Sequence, residues 1–236
     1  MKEKEKLIVV GAGGHARSVI DIILQNNEYD LIGCIDKSYG TANTVSGMDD
    51  IPIIGNDDML EEFFISGVKN IFVAIGENKL RDKIFKKVSD IGFNAVNVIS
   101  RRAYISERAK LKKGICVMAG ACINVNTVIE DNCIINTNSS IDHDCRIGRS
   151  VHIAPGAAIS GTVSIGDYTH IGTGVNVIDN VVVGINTFVG GGRSSLITLK
   201  TMLLHMEFLL KLIRLITDIV LIKRFRVNNY IFCNPL

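Results

Sequence analysis

The chain has 236 residues, 47% of them apolar and 21% charged, with a formal net charge of +2. That length and apolar share support a packed core and argue against a disordered chain. The near-balanced charge gives no general drive toward nucleic acid or a membrane surface. The six cysteines (Cys34, Cys116, Cys122, Cys133, Cys145, Cys233) contain no CxxC pair, which argues against a zinc ribbon or a CxxC redox centre. The opening Met1-Lys-Glu-Lys-Glu-Lys carries acids and runs into an apolar strand pattern rather than a secretory leader, so a cytoplasmic protein with reduced thiols is expected.

Residues 6–10, Lys-Leu-Ile-Val-Val, read as a buried parallel strand. Gly11-Ala-Gly-Gly-His15-Ala-Arg17 follows, then an amphipathic helix to about Leu24. Strand, glycine-rich turn and helix together form an arrangement in which backbone N–H groups and the helix dipole face an anion. A second strand, 31–35, ends in Asp36, where dinucleotide folds place an acid against a ribose. Further strands are expected at 51–54, 70–75 and 95–99, with helices near 57–66 and 79–91. This is a small α/β unit over 1–100. Its turn fits a nicotinamide dinucleotide, a nucleotide sugar, or simply a tight turn. The chain offers no second domain with hydride-transfer residues, which weighs against the first.

From Ile105 to Val189 every sixth residue is Ile, Leu or Val, fifteen in succession. A period of six is neither helical nor that of a flat strand. It fits a parallel β-helix with three short sides per coil, each inward aliphatic stacking on its equivalent 18 residues on. Glycines following the aliphatic (Gly148, Gly166, Gly172, Gly184, Gly190) suggest permissive corners. Cys116 and Cys122 share one phase of the hexad and are expected to pack in the core. The 18-residue spacing of His152 and His170 predicts one column on consecutive coils. His143, His152 and His170 could also serve as zinc ligands shared between subunits, as in the related β-helices that act as carbonic anhydrases.

Gly11-Ala-Gly-Gly-His15 on a strand–turn–helix, hexapeptide repeats, and then Asn138-Ser-Ser-Ile-Asp142-His143-Asp144-Cys145-Arg-Ile-Gly148 resemble the bacterial hexapeptide-repeat acetyltransferases of surface-sugar synthesis. These are the sialic-acid O-acetyltransferase-like proteins and the nucleotide-amino-sugar N-acetyltransferases. The resemblance runs over about 5–192. It implies a Rossmann-like α/β domain followed by a left-handed parallel β-helix (101–192), a homotrimer, and acetyl-CoA as co-substrate with no metal. It further implies His143 as general base with Asp144 raising its basicity. Acetyl-CoA would be contacted by His152, Thr173 and Gly191, and the nucleotide-sugar or sialic-acid acceptor by Gly13, Gly14, His15, Asp36 and Gly55. No nucleic acid and no membrane span are expected. The chemistry is consistent with these roles: acyl transfer to an amine or hydroxyl needs a base near neutrality, and a carboxylate fixes its tautomer. A non-catalytic β-helix that scaffolds a sugar-pathway enzyme is the alternative class.

The repeat stops at Ser195, where an aliphatic is due. Residues 193–236 contain no Gly, ten Leu, seven Lys or Arg and two Asp or Glu. Three readings fit this Leu-rich basic tail: an amphipathic appendage for a membrane surface or partner, a helical cap, and translation out of frame. For the third, Met206-Glu-Phe-Leu-Leu-Lys-Leu212 admits a codon choice that, read from the last nucleotide of the Met206 codon, gives Gly-Val-Pro-Ala-Lys-Val. That is the type of ending the resembled family uses at this distance from the glycine equivalent to Gly190.

Overall fold

A computed structural model describes residues 4–40 and 51–191. The tail at 193–236, with its three readings, lies outside the described residues. Five parallel strands, β1 (Lys6–Val10), β2 (Asp30–Ile35), β3 (Ile53–Gly55), β4 (Asn70–Val73) and β5 (Asn94–Ala95), form one sheet in the order β3-β2-β1-β4-β5. Leu7 and Val9 face one side, where α1 (Gly14–Asn26) buries Ala16, Val19, Ile20 and Ile23. Ile8 and Val10 face the other, where α2 (Leu60–Ile65) and α3 (Asn78–Ile91) bury Leu60, Ile84, Phe85 and Val88. A strand buried on both faces reads as a continuous apolar run, which is why 6–10 shows no alternation.

The stretch 95–99 does not form one strand. Ala95 ends β5, whereas β6 (Val98–Ile99) pairs with Cys116–Val117 and starts the second architecture. Ile99 keeps the six-residue phase, so the repeat begins one hexad earlier than Ile105. From there sixteen two-residue strands, β6 to β21 (Phe188–Val189), wind a left-handed parallel β-helix. Its first face carries six rungs from Val98–Ile99 to Phe188–Val189; the second (Tyr104–Ile105 to Asn176–Val177) and third (Lys110–Leu111 to Val182–Val183) carry five each. Ile99 to Val189 point inward in one core.

A second inward column lies two residues before the aliphatics of the central coils: Ile115, Ala121, Thr127, Cys133, Ser139, Cys145, Val151, Ala157 and Val163 are all buried. Small side chains fit there because each corner narrows the section. The thiols of Cys133 and Cys145 therefore pack inside. Cys116 instead faces outward, buried between the first face and α1, and Cys122 is half-buried on the second face. Cys116 thus packs in a core as expected, the one shared with α1 rather than the inside of the coil. The expectation is corrected for Cys122, which is only half-buried.

Corner chemistry also differs from expectation. Positive φ recurs at every sixth residue from Gly114 to Asn186, through Asn126, Asn132, Asn138, Asp144, Ser150, Thr162, Tyr168 and Asn180 as well as glycines. Asn and Asp tolerate this left-handed region best among residues with a Cβ. Gly148, Gly166 and Gly172 are not among them. At Gly148 a Cβ would lie 2.7 Å from Asp167 N and 2.9 Å from Ile165 O, so these glycines serve close approach between coils.

The two parts share a core. Val98, Cys116 and Ile134, outward on the first rungs of the first face, are buried against α1 with Val19, Ile20 and Ile23. Beyond Ile134 the same column changes to His152, His170 and Phe188. Among the described residues no helix is long and apolar enough to cross a membrane.

Candidate functional site

The strand order reverses between β1 and β4, and the carboxyl ends of these strands open a crevice, the position where open α/β sheets bind ligands. Gly11 makes the turn possible: its φ is +109°, and a Cβ there would come 2.9 Å from Ala74 O. Gly13 is the N-cap of α1, without a capping side chain, and Gly14 is exposed. Asp36 accepts hydrogen bonds from the N–H groups of Ala12 (3.0 Å) and Ser38 (2.9 Å). Burial pushes the Asp36 carboxyl up, but the Ser38 and Ala12 amides and Lys37 outweigh it and hold the group below its ordinary range. The Asp36 N–H in turn donates to Gly55 O at 2.9 Å. Gly55 is buried, and a Cβ there would meet Phe63 and Met59, so this glycine is also a packing requirement.

The crevice has two helix N-termini. That of α3 is closed, because Glu77 accepts from Lys79 N and Leu80 N at 2.9 and 2.6 Å. That of α1 is open. An anion at this edge therefore finds free N–H donors and a favourable dipole only at the Gly13-Gly14-His15 turn.

His15, from α1, meets the β-helix. Its ring centroid lies 6.5 Å from that of His152, which lies 4.6 Å from His170; His170 stacks on Phe188 at 4.9 Å. The column expected from the 18-residue spacing is present. Asn136 Nδ2 lies 3.1 Å from His152 Nε2. An amide N–H₂ only donates, so Nε2 accepts and Nδ1 carries the proton. His15 Nε2 is buried without a hydrogen-bond partner, and the buried His152 has the Gly76 backbone as its polar neighbour on the Nδ1 side. Burial and the charge of Arg81 bring His15 down to about 4. Burial, then His170, Arg81 and His15, bring His152 down to about 3. Both are neutral near pH 7. Beside them, Gly76, Glu77, Asn78, Lys79, Tyr168 and Phe188 help line a cleft of about 230 Å³.

His143 stands elsewhere. It follows the second-face strand Ser140–Ile141, on the corner between the second and third faces, which is the vertex opposite the first face. Its Nδ1 lies 2.9 Å from Asp144 Oδ2, and both side chains are about half exposed. A carboxylate only accepts, so Nδ1–H donates and Nε2 is left as the basic nitrogen. The Asp144 hydrogen bond raises the His143 pKa above its usual value; desolvation opposes it, and the charges of Asp142, Asp144 and Asp179 add to the rise. Asp144 has φ +58°, the left-handed corner conformation. The coil before it contributes Asn126, whose Nδ2 donates to Asp144 Oδ1 at 3.0 Å. The coil after it contributes Gly161, where a Cβ would lie 2.6 Å from the His143 ring.

The chain thus brings Gly13, Gly14, His15, Asp36, Gly55 and His152 to one side. Thr173 and Gly191 stack on the neighbouring corner, a Cβ on Gly191 lying 3.0 Å from Thr173 O. His143 and Asp144 lie on the other side. The three-histidine set His143, His152 and His170 is therefore not assembled within the chain. Among the described residues no group of three or more His, Cys, Asp or Glu is placed to hold a metal. Arg81, Asn78, Asn126 and Gly161 were not singled out from the sequence. For Arg81 a signal existed: it occupies the apolar stripe of α3 that continues through Ile84, Phe85 and Val88.

Residues 6–88 match the PglD N-terminal domain family, and residues 126–161 match the bacterial transferase hexapeptide (six repeats) family. Among solved structures, PerB from Caulobacter crescentus, in complex with CoA and GDP-perosamine, is 37% identical, covering 79% of this chain and 86% of that one, with a TM-score of 0.73. The acetyltransferase domain of PglB from Neisseria gonorrhoeae is 33% identical, with coverages of 80% and 90% and a TM-score of 0.75. That domain has also been solved with acetyl coenzyme A. A curated, uncharacterized protein of Acanthamoeba polyphaga mimivirus is 32% identical over 98 residues, which span 42% of this chain but only 18% of that protein. With the α/β crevice, the hexad β-helix and the likeness to PerB and PglB together, the chain belongs to the hexapeptide-repeat nucleotide-amino-sugar N-acetyltransferases.

Proposed function

We propose that this protein transfers the acetyl group of acetyl-CoA to the amino group of a nucleotide-activated amino sugar, as a homotrimer. The observation that carries this reading is the separation of two half-sites. The crevice with His15 and His152 lies on one side of the β-helix, and the His143–Asp144 pair lies on the opposite vertex. Within one chain they never meet. A head-to-tail ring in which each copy places its vertex against the next copy's crevice completes the site, and such a heterologous contact closes when three copies meet. The likeness to PerB, solved with CoA and GDP-perosamine, and to the PglB domain, solved with acetyl coenzyme A, supports both substrates.

In this reading the nucleotide diphosphate lies at the open N-terminus of α1, with Gly13 and Gly14 supplying N–H donors. Asp36 and Gly55 take the nucleoside end. Acetyl-CoA runs along the corner holding Thr173 and Gly191, its thioester near His152. The acceptor nitrogen attacks the thioester carbonyl and the C–S bond breaks. The nitrogen's proton passes to Nε2 of His143, whose Nδ1–H stays hydrogen-bonded to Asp144, and the imidazolium then gives that proton to the CoA thiolate, which restores the neutral base. Neutral His152 still offers one ring N–H as a donor to the developing oxyanion.

The test is direct. The purified protein is mixed with acetyl-CoA and nucleotide amino sugars, GDP-perosamine first, and thiol release is followed. Turnover with release of one thiol per acetylated sugar supports the reading, and His143→Ala is expected to lower kcat on the order of 100-fold. No thiol release with any amino sugar tested, from a folded protein, overturns it in favour of a scaffold.

A further inference from the structure

Three ties fasten α3 to the corner between the third and first faces; at the helix start Asn78 Nδ2 donates to Tyr168 O (3.0 Å) and Thr169 O (3.1 Å). The outer one is Asp82, which accepts from Arg149 Nε (2.7 Å), Ser150 Oγ (2.9 Å) and Tyr168 Oη (3.3 Å), and pairs with Lys86 (2.7 Å). The inner one is Arg81, whose side chain is among the largest fully buried in the chain. Its Nε donates to Asn132 O at 2.9 Å. One terminal nitrogen donates to Ile75 O (3.1 Å) and Gly76 O (3.0 Å), the other to Asn78 Oδ1 (3.0 Å) and Ser150 O (2.9 Å). All five N–H groups are used, and every acceptor is neutral.

A buried cation without a carboxylate in contact is an expensive way to dock a helix, since apolar residues of similar volume do it at less cost. The Asp82 cluster already provides a polar tie. What distinguishes Arg81 is the identity of its acceptors. Ile75 and Gly76 form the turn after β4 at the crevice, and Gly76 adjoins both His152 and the cleft. Asn132 and Ser150 belong to successive coils of the β-helix. One planar fork thus fixes the crevice turn to two coils at once, a geometry an ammonium does not reproduce.

We propose that Arg81 is a positioning residue for the acceptor site: its guanidinium sets the gap between His15 on the α/β domain and His152 on the β-helix by clamping the Ile75-Gly76 turn. This rests on the acetyltransferase reading above only for its kinetic consequence. The charged and titratable groups facing the histidine pair are Arg81 from α3 and His170 from the next coil, so replacing Arg81 also alters the field at both rings.

Three variants separate positioning from mere docking. Arg81→Lys keeps the charge but offers three donors in place of five. It is expected to raise KM for the nucleotide amino sugar about tenfold or more while KM for acetyl-CoA stays within about twofold. Asn78→Ala removes one acceptor of Arg81 together with the bonds of Asn78 to Tyr168 O and Thr169 O; it is expected to move the same KM in the same direction by less and, unlike Arg81→Lys, is read beside the melting temperature. Arg149→Gln cuts the outer tie; it is expected to lower the melting temperature and leave both KM values unchanged. Arg81→Lys and Asn78→Ala with wild-type KM values, or Arg149→Gln raising the acceptor KM as much as Arg81→Lys, would overturn the proposal. If the wild-type protein acetylates no amino sugar, the ring ¹⁵N signals of His15 and His152 decide instead. A shift in Arg81→Lys that is absent in Arg149→Gln supports positioning, and unshifted signals in Arg81→Lys refute it.

Discussion

Asp144 Oδ2 lies 2.9 Å from His143 Nδ1, and the pair occupies the vertex of the β-helix opposite the face that carries His152. In the proposed trimer this relationship links the protonation chemistry to the assembly, because a base on that vertex would reach an acceptor across a subunit boundary.

The pH dependence follows from the same pair. Asp144 raises the pKa of His143, and the base must be neutral to act, so kcat/KM falls as pH drops through that raised value. Asp144→Asn removes the charge-assisted bond and lowers the His143 pKa. The acid limb of the profile moves to lower pH while the plateau rate falls, about tenfold or more, because the tautomer is no longer held. A pH–rate profile of both proteins checks this; an unmoved limb counts against His143 as the titrating group.

Subunit sharing is testable by mixing. His143→Ala loses the vertex half and His152→Ala the crevice half. After co-refolding equal amounts, one half times one half of the interfaces join an intact vertex to an intact crevice, so about a quarter of wild-type turnover returns. No recovery from a mixture that has formed mixed trimers argues for a site within one chain.

Gly161 leaves room for the base. A Cβ there would lie 2.6 Å from Cε1 and Nε2 of His143. Gly161→Ala is expected to lower kcat about tenfold or more with little change in melting temperature, since the half-exposed ring is displaced rather than the core. Steady-state kinetics beside a thermal melt distinguish this from unfolding.

The crevice histidines give a stability signature. Their folded-state values, about 4 for His15 and about 3 for His152, lie below the ordinary value. The unfolded chain therefore binds more protons at pH values between each folded value and the ordinary value of 6.5. The stabilisation is full above about pH 6.5 and declines as pH falls toward the folded values. From about pH 7 to about pH 5 each contributes a loss on the order of 2 kcal/mol. His152→Gln flattens that slope in denaturant titrations at the two pH values.

The tail is open to the simplest measurement. Sequencing the gene across the codons for 190–212 and reading all frames is expected to show a Gly-Val-Pro-Ala-type ending, followed by a stop, in a neighbouring frame. Its absence in every frame makes the Leu-rich segment at 193–236 genuine and directs attention to a surface or partner role.

Much of this molecule was legible from residue order because its two architectures have strong local signatures. A hexad of aliphatics from Ile105 to Val189 leaves only one way to stack, and it also places His152 over His170 by counting. The Gly11-Ala-Gly-Gly-His15 turn and the Asp142-His143-Asp144 run are contiguous, so their chemistry is visible without a fold. The splitting of 95–99 between two sheets was not legible, because an apolar strand carries no mark of which sheet it joins. Nor were the corner glycines read correctly: a glycine required by a neighbouring coil looks the same as one required by its own φ. Only the tertiary structure decided that His15 and His152 share a crevice and that His143 stands away from both. It also decided that Arg81 ties the crevice turn to two coils. The contacts of His15 with His152 and of Arg81 with Asn132 and Ser150 join residues far apart in the chain, and burial and electrostatic coupling at that range depend on how the α/β domain docks on the first face. No local pattern encodes that docking.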